Sequence, residues 1–156
     1  MYSTSLASIL RRLAQETGQA FDPSVFENRV RIQKAIYLLQ STGYGPATRW
    51  DFSMFVRGPY SPSLTREYYG FEGLSIRPAA PASIPGRYLN PVVEATKKGV
   101  AFMECVATLH LVTRNNPGRS KKELLAQTAL LKPELKRYLQ EAWAFLQAHR
   151  LLRAST

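Results

Sequence analysis

Few side chains in this sequence are of types that make or break bonds. The only Asp residues stand at 22 and 51, the only His at 110 and 149, and the one Cys at 105. No HExxH, no GxSxG and no clustered His/Cys spacing joins them, so metal-assisted hydrolysis and nucleophilic acyl transfer lack their parts. Cys105 has no second thiol to pair with, and it lies in the apolar run VAFMECVATLHLV, where a buried inert thiol is expected. His110 belongs to the same run and His149 ends a later helical pattern. Both read as structural, with His149 placed to favour a helix C-terminus. Neither GxGxxG nor GxxxxGKS/T occurs, and Gly43, Tyr44 and Gly45 precede Pro46 rather than a helix, which leaves a nucleotide-cradling loop without support. The expectation is a non-enzyme with no cofactor and no metal site.

Binding chemistry is better represented. Residues 1–75 carry eight Lys/Arg against six Asp/Glu, whereas residues 76–156 carry thirteen against five, so most of the formal charge of +10 belongs to the second half. Arg114, Arg119, Lys121, Lys122, Lys132, Lys136 and Arg137 crowd the turns and helix starts there. Two readings stand: a nucleic-acid footprint on DNA or RNA leaning on phosphates, or a solvated face that keeps a Leu-rich segment soluble. Base readout would be slight, because residues 133–140 offer mainly Lys136, Arg137 and Gln140 to base edges. A second concentration is aromatic: Tyr37, Tyr44, Trp50, Phe52, Phe55, Tyr60, Tyr68, Tyr69 and Phe71 fall within 35 residues. They are either core plus a wall around the GPYS turn, or in part a protein-binding face in which Arg57, Tyr60, Arg66, Tyr68 and Tyr69 meet a partner.

The elements that must position these groups follow from patterning. At 156 residues and 45% hydrophobic, the chain suits one domain spanning residues 1–156. It divides into N-terminal helices, a short strand and the GPYS turn over 1–74, a Pro-rich loop over 75–93, and C-terminal helices over 94–156. Leu6, Ile9, Leu10 and Leu13 recur at helical spacing between candidate caps at Ser3 to Ser5 and a stop at Gly18. A capping box at Ser24 and Glu27 predicts a helix over about 24–42. Alternation at Trp50, Phe52, Met54 and Val56 predicts a strand, and Ser61 followed by Pro62 predicts a cap and first turn of a short helix ending near Gly70.

Pro78, Pro81, Pro85 and Pro91 predict an extended surface loop, ordered only against a partner. One helix is expected over 94–114, packed all round at 100–112. Ser120 with Glu123 caps the next helix, and Pro133 opens the last. The fold class expected is mainly α, with a small β element and a C-terminal part like a winged helix or helix-turn-helix. The run at 100–112 is too short for the roughly 20 residues of a spanning helix. The N-terminal residues lack a secretion pattern, and a cytoplasmic protein with no membrane partner is expected.

RIQKAIYLLQ at 31–40 followed by RGPYSPSL at 57–64 resembles the YwgA-like bacterial proteins and, more distantly, the Panacea (SocA-like) antitoxin domain. ATKKG at 95–99 is similar to those families' entry to a central helix. The resemblance spans roughly residues 24–110 and extends to the C-terminal domain of DarG-type antitoxins. It implies a mostly helical, winged-helix-like domain without known catalysis, used as a toxin-binding part. Residues 1–156 hold no macrodomain, so hydrolase activity is not carried over to them, and a charge of +10 has the wrong sign for mimicry of DNA.

Overall fold

In the computed structural model, which describes residues 4–152, the Ser5 hydroxyl accepts from the Ser8 amide and opens helix α1 (Leu6–Thr17). Ser3, another candidate cap, lies outside the described residues. Leu6, Ile9, Leu10 and Leu13 form the buried stripe expected, and Gly18 closes the helix in the left-handed region. Helix α2 (Phe26–Ser41) starts two residues later than the sequence suggests. Ser24 and Glu27 do not form a capping box: the residue before the helix is Val25, which has no capping side chain, and Glu27 instead approaches Arg31 at 3.5 Å. The entry is fixed from within the helix, where Asn28, Arg29 and Arg31 donate to the carbonyls of Asp22, Pro23 and Ala20.

The expected strand is shorter and belongs to a hairpin. Strand β1 (Ser53–Phe55) pairs antiparallel with β2 (Gly58–Tyr60) in the register Ser53 to Tyr60, Met54 to Pro59 and Phe55 to Gly58. Gly58 and Pro59 are therefore strand residues, and the chain reverses at Val56 and Arg57 instead. Proline is tolerated because a two-stranded ribbon has only edge strands. Ser61 then accepts from the Leu64 amide with Pro62 in the first position of α3 (Pro62–Tyr69), as the residues predict.

The Pro-rich stretch departs furthest from expectation. Helix α4 (Gly86–Lys97) occupies its second half and carries Pro91 inside it. Leu89, Val92, Ala95 and Thr96 form a buried stripe there, and burial of that face outweighs one missing amide bond. Residues 75–85 order against their own chain: Ile76, Ala82 and Ile84 are buried, the Ala82 amide donates to Ser8, and the Ile76 amide donates to the Asp22 carboxylate at 2.8 Å. The single helix expected over 94–114 is two, because Gly99 at φ +104, ψ 162 separates α4 from α5 (Val100–Asn115).

Helix α5 is buried on nearly every side and carries the centre of the core. Ser120 and Glu123 form the predicted capping box of α6 (Lys121–Leu131). Pro133 opens a 3-10 segment, Pro133–Tyr138, that leads into α7 (Leu139–Ala148). One buried cluster runs from Leu6 in α1 to Leu146 in α7, so the protein is a mainly helical single domain with a small antiparallel hairpin. Among the described residues no helix is long and apolar enough to cross a membrane.

Candidate functional site

The two motifs of the first half meet across the hairpin. Gln33 binds both main-chain groups of Ser61, accepting from its amide at 2.9 Å and donating to its carbonyl at 3.1 Å. One residue along α2, the Lys34 ammonium donates to the Pro59 carbonyl at 2.7 Å while only 2% exposed. Burial pulls the Lys34 pKa down to about 8, and Glu104 offsets this only in part. Glu104 on α5, 3% exposed, is the anion of this region: it lies 3.1 Å from Lys132 and 3.3 Å from Arg57. Lys132 also reaches Glu134 at 3.0 Å and donates to the Val56 carbonyl at the hairpin turn. The hairpin is thus clamped by charges from α2, from α5 and from the segment after α6.

Beside the clamp opens a cavity of about 440 Å³ between the first turns of α2, the hairpin and α3. Arg57, Tyr60, Tyr68 and Tyr69 line it, as does Phe26; Arg66 is exposed on α3 and lies outside it. Four of the five side chains expected to face a partner are therefore brought together. The hydroxyls of Tyr60, Thr65 and Tyr68 are linked, and Gln33 donates to Thr65 at 2.9 Å, giving the groove a polar floor. Its rim is apolar and open: Phe26 is 57% exposed, Phe55 48% and Val56 86%. Sequence reasoning missed these three as site residues. Phe26 belongs to a helical apolar stripe and Val56 to an alternating strand pattern, and both patterns predict an inward face. The Arg29 guanidinium lies between the Phe26 and Tyr69 rings, 5.6 and 5.9 Å from their centres. Arg29, Lys34 and Arg57 line the cavity, and no carboxylate does.

The basic set divides. Lys132 is engaged inside the clamp and does not face solvent. The other six are exposed and not ion-paired among the described residues. Arg119, Lys121 and Lys122 flank the start of α6, whereas Lys136 and Arg137 follow its end, about 16 Å away along an eleven-residue helix. Arg114 closes α5 with its guanidinium 5.7 Å from the Tyr37 ring centre.

Of the reactive types, Cys105 is enclosed, His110 and His149 are half-buried and Asp51 is exposed. Cys105 is fully buried, its thiol lies 3.8 Å from the Leu135 carbonyl, and burial pushes its pKa up to about 12. His110 Nδ1 is 2.7 Å from the Tyr37 hydroxyl, and burial, reinforced by Arg114, lowers its pKa to about 4. His149 Nε2 stands 3.2 Å from Glu94. No group of three or more His, Cys, Asp or Glu among the described residues is arranged to hold a metal ion. In comparisons with known proteins, no family model, no curated protein and no solved structure matches the chain.

Proposed function

We propose that this protein is a non-catalytic interaction module of antitoxin or accessory type that binds and restrains a protein partner through the groove beside the hairpin. One observation carries the reading. Of the seven large hydrophobic side chains most exposed among the described residues, four, Phe26, Phe55, Val56 and Tyr69, line this groove, and Val25 adjoins Phe26. Exposed apolar groups concentrated at one concave place are the mark of a docking surface. Arg29, which has no carboxylate partner among the described residues, and Arg57, half exposed beside Glu104, favour a partner segment that carries apolar side chains flanked by Asp or Glu. The YwgA-like resemblance, with its toxin-binding relatives, points the same way. Co-expression with the product of an adjacent growth-inhibiting gene tests the reading. Wild type should restore growth and co-purify with that product, while Phe26→Ser with Val56→Asp should lose both at unchanged helicity. Rescue by the double variant equal to that of wild type would remove the groove from the function.

The rival reading, a nucleic-acid-binding regulator, draws on Arg114, Arg119, Lys121 and Lys122, which surround one turn and remain exposed. Duplex binding whose log–log salt slope reaches about −4, reduced by about 2 in the Lys121→Ala, Lys122→Ala variant, would favour it.

A further inference from the structure

At the other end of α2, about 22 Å along the helix from Phe26, lies a larger cavity of about 640 Å³. Arg114, Arg119 and Arg150 line it, from the last turn of α5, the turn before α6, and the residue two places beyond α7. None of the three is ion-paired among the described residues, and no Asp or Glu lines the cavity. Three guanidinium groups without a carboxylate partner among the described residues line one concavity, and their planar forks suit the oxygens of a phosphate. Part of the remaining wall is apolar, Trp143, half-buried, with Leu124, Leu151 and Leu152, and part is polar, with Thr113 and Asn116.

Arg150 is held there against its backbone preference. Its φ is +58, and it is one of only two non-glycine residues with positive φ among those described. Its amide donates to the Gln147 carbonyl, and the Leu151 amide donates to the Leu146 carbonyl at 2.8 Å, the paired bonds of a Schellman helix end. Glycine is the usual occupant of that position, because other L-residues rarely take it. The reversal carries Arg150, Leu151 and Leu152 to the cavity wall.

We propose that this cavity binds a phosphomonoester bearing a planar ring, a nucleoside 5′-phosphate either free or at the end of a strand. The phosphate sits on Arg114, Arg119 and Arg150, and the ring lies against Trp143 and the leucines. The volume is in the range of small-ligand pockets, and an indole face is a stacking surface for any base. This site is separate from the hairpin groove and does not depend on what that groove binds.

Calorimetric titration of the full chain with adenosine 5′-monophosphate, followed also by tryptophan emission, tests the proposal. Trp50 is buried and donates to Glu67 at 2.9 Å, so quenching on binding reports Trp143 and should vanish in Trp143→Phe. Adenosine and inorganic pyrophosphate should each bind at least about tenfold more weakly than the nucleotide. Arg119→Ala and Arg150→Gly should each weaken nucleotide binding about tenfold or more, the loss expected for a charge-assisted contact. Lys136→Ala should leave it within about twofold. Arg150→Gly should also hold or raise the melting temperature, which separates a lost ligand contact from a lost fold. A 5′-phosphorylated tetranucleotide binding more tightly than the mononucleotide assigns the site to strand ends, and equal or weaker binding assigns it to free nucleotide. Three results overturn the proposal: adenosine or pyrophosphate binding as tightly as the nucleotide, a 5′-hydroxyl strand binding as tightly as the phosphorylated one, or nucleotide binding unchanged in both arginine variants.

Discussion

At Gly58 the backbone takes φ +89, and the space a Cβ would fill is already held by the Thr108 hydroxyl. Gly58→Ala should therefore lose about 3 kcal/mol, combining the strained backbone with displacement of a packed neighbour. The Thr108 hydroxyl is buried without a hydrogen-bond partner, so Thr108→Ala by itself should lose only about 1 kcal/mol and should soften the Gly58→Ala loss in the double variant. Urea unfolding of the four proteins reads both effects; a Gly58→Ala loss below about 0.5 kcal/mol would contradict the geometry. His110 gives the chain an acid sensitivity of its own. Its native pKa of about 4 lies below the ordinary 6.5, so between those values the unfolded chain binds a proton that the native state does not. Its contribution is complete above pH 6.5 and is lost as the pH falls through 4, to a total of about 3 kcal/mol. His110→Gln, which keeps an acceptor for Tyr37, should be the less acid-sensitive protein. A stability difference between the two that stays flat from pH 7 to pH 4 would rule out this account.

The hairpin is short, and isolated ribbons of this size are marginal in water, so its position depends on the groups that seize its carbonyls. Lys34 holds Pro59, Lys132 holds Val56, and Glu104 balances the cations between them. Glu104→Gln removes the one buried carboxylate among the described residues and should cost about 3–5 kcal/mol, because Lys34 then remains enclosed without a counter-charge and Lys132 keeps only the exposed Glu134. Glu134, 62% exposed, also touches Lys132, yet Glu134→Gln should cost far less than Glu104→Gln because water screens that pair. Equal losses in chemical denaturation would show that burial of Glu104 is not what matters. The pairing of RIQK with GPYS was legible as two motifs, and the structure supplies the contacts that join them. Glu104 was legible only as an interruption of an apolar run. Its partners lie 47 residues before it and 28 after it, beyond the reach of any local pattern.

Helix α5 joins most of the molecule: it packs against α2, α4, α6, α7 and both strands of the hairpin. Heat should therefore unfold the protein in one cooperative transition. Trp50 and Trp143 stand in the first and second halves of the chain, so coincidence of the fluorescence and far-ultraviolet curves checks this directly. Separated midpoints would divide the N-terminal helices and hairpin from the C-terminal trio. The same central helix keeps the apolar groove and the arginine cavity at opposite ends of α2, where each can be altered without disturbing the other.

What the sequence settled by itself was the set of features governed by neighbours within about four residues. The stripe of α1 and its Gly18 stop, the Ser61 cap before Pro62, and the Ser120 to Glu123 box all arise from spacing along one turn of helix. The predominance of helix was legible for the same reason, and the small numbers of Asp, His and Cys are composition, read directly from the sequence. Tertiary structure alone decided the rest. Proline count predicted loop where α4 forms, because the stripe through Leu89, Val92 and Ala95 acquires its value only against a core built by other elements. A cap predicted at Ser24 lost to side chains of α2 that hold the preceding carbonyls. The exposure of Phe26 and Val56, the withdrawal of Lys132 from the basic set and the convergence of Arg114, Arg119 and Arg150 depend on residues tens of positions apart. Burial and charge pairing are set by distance in space, which hydrophobic periodicity does not encode.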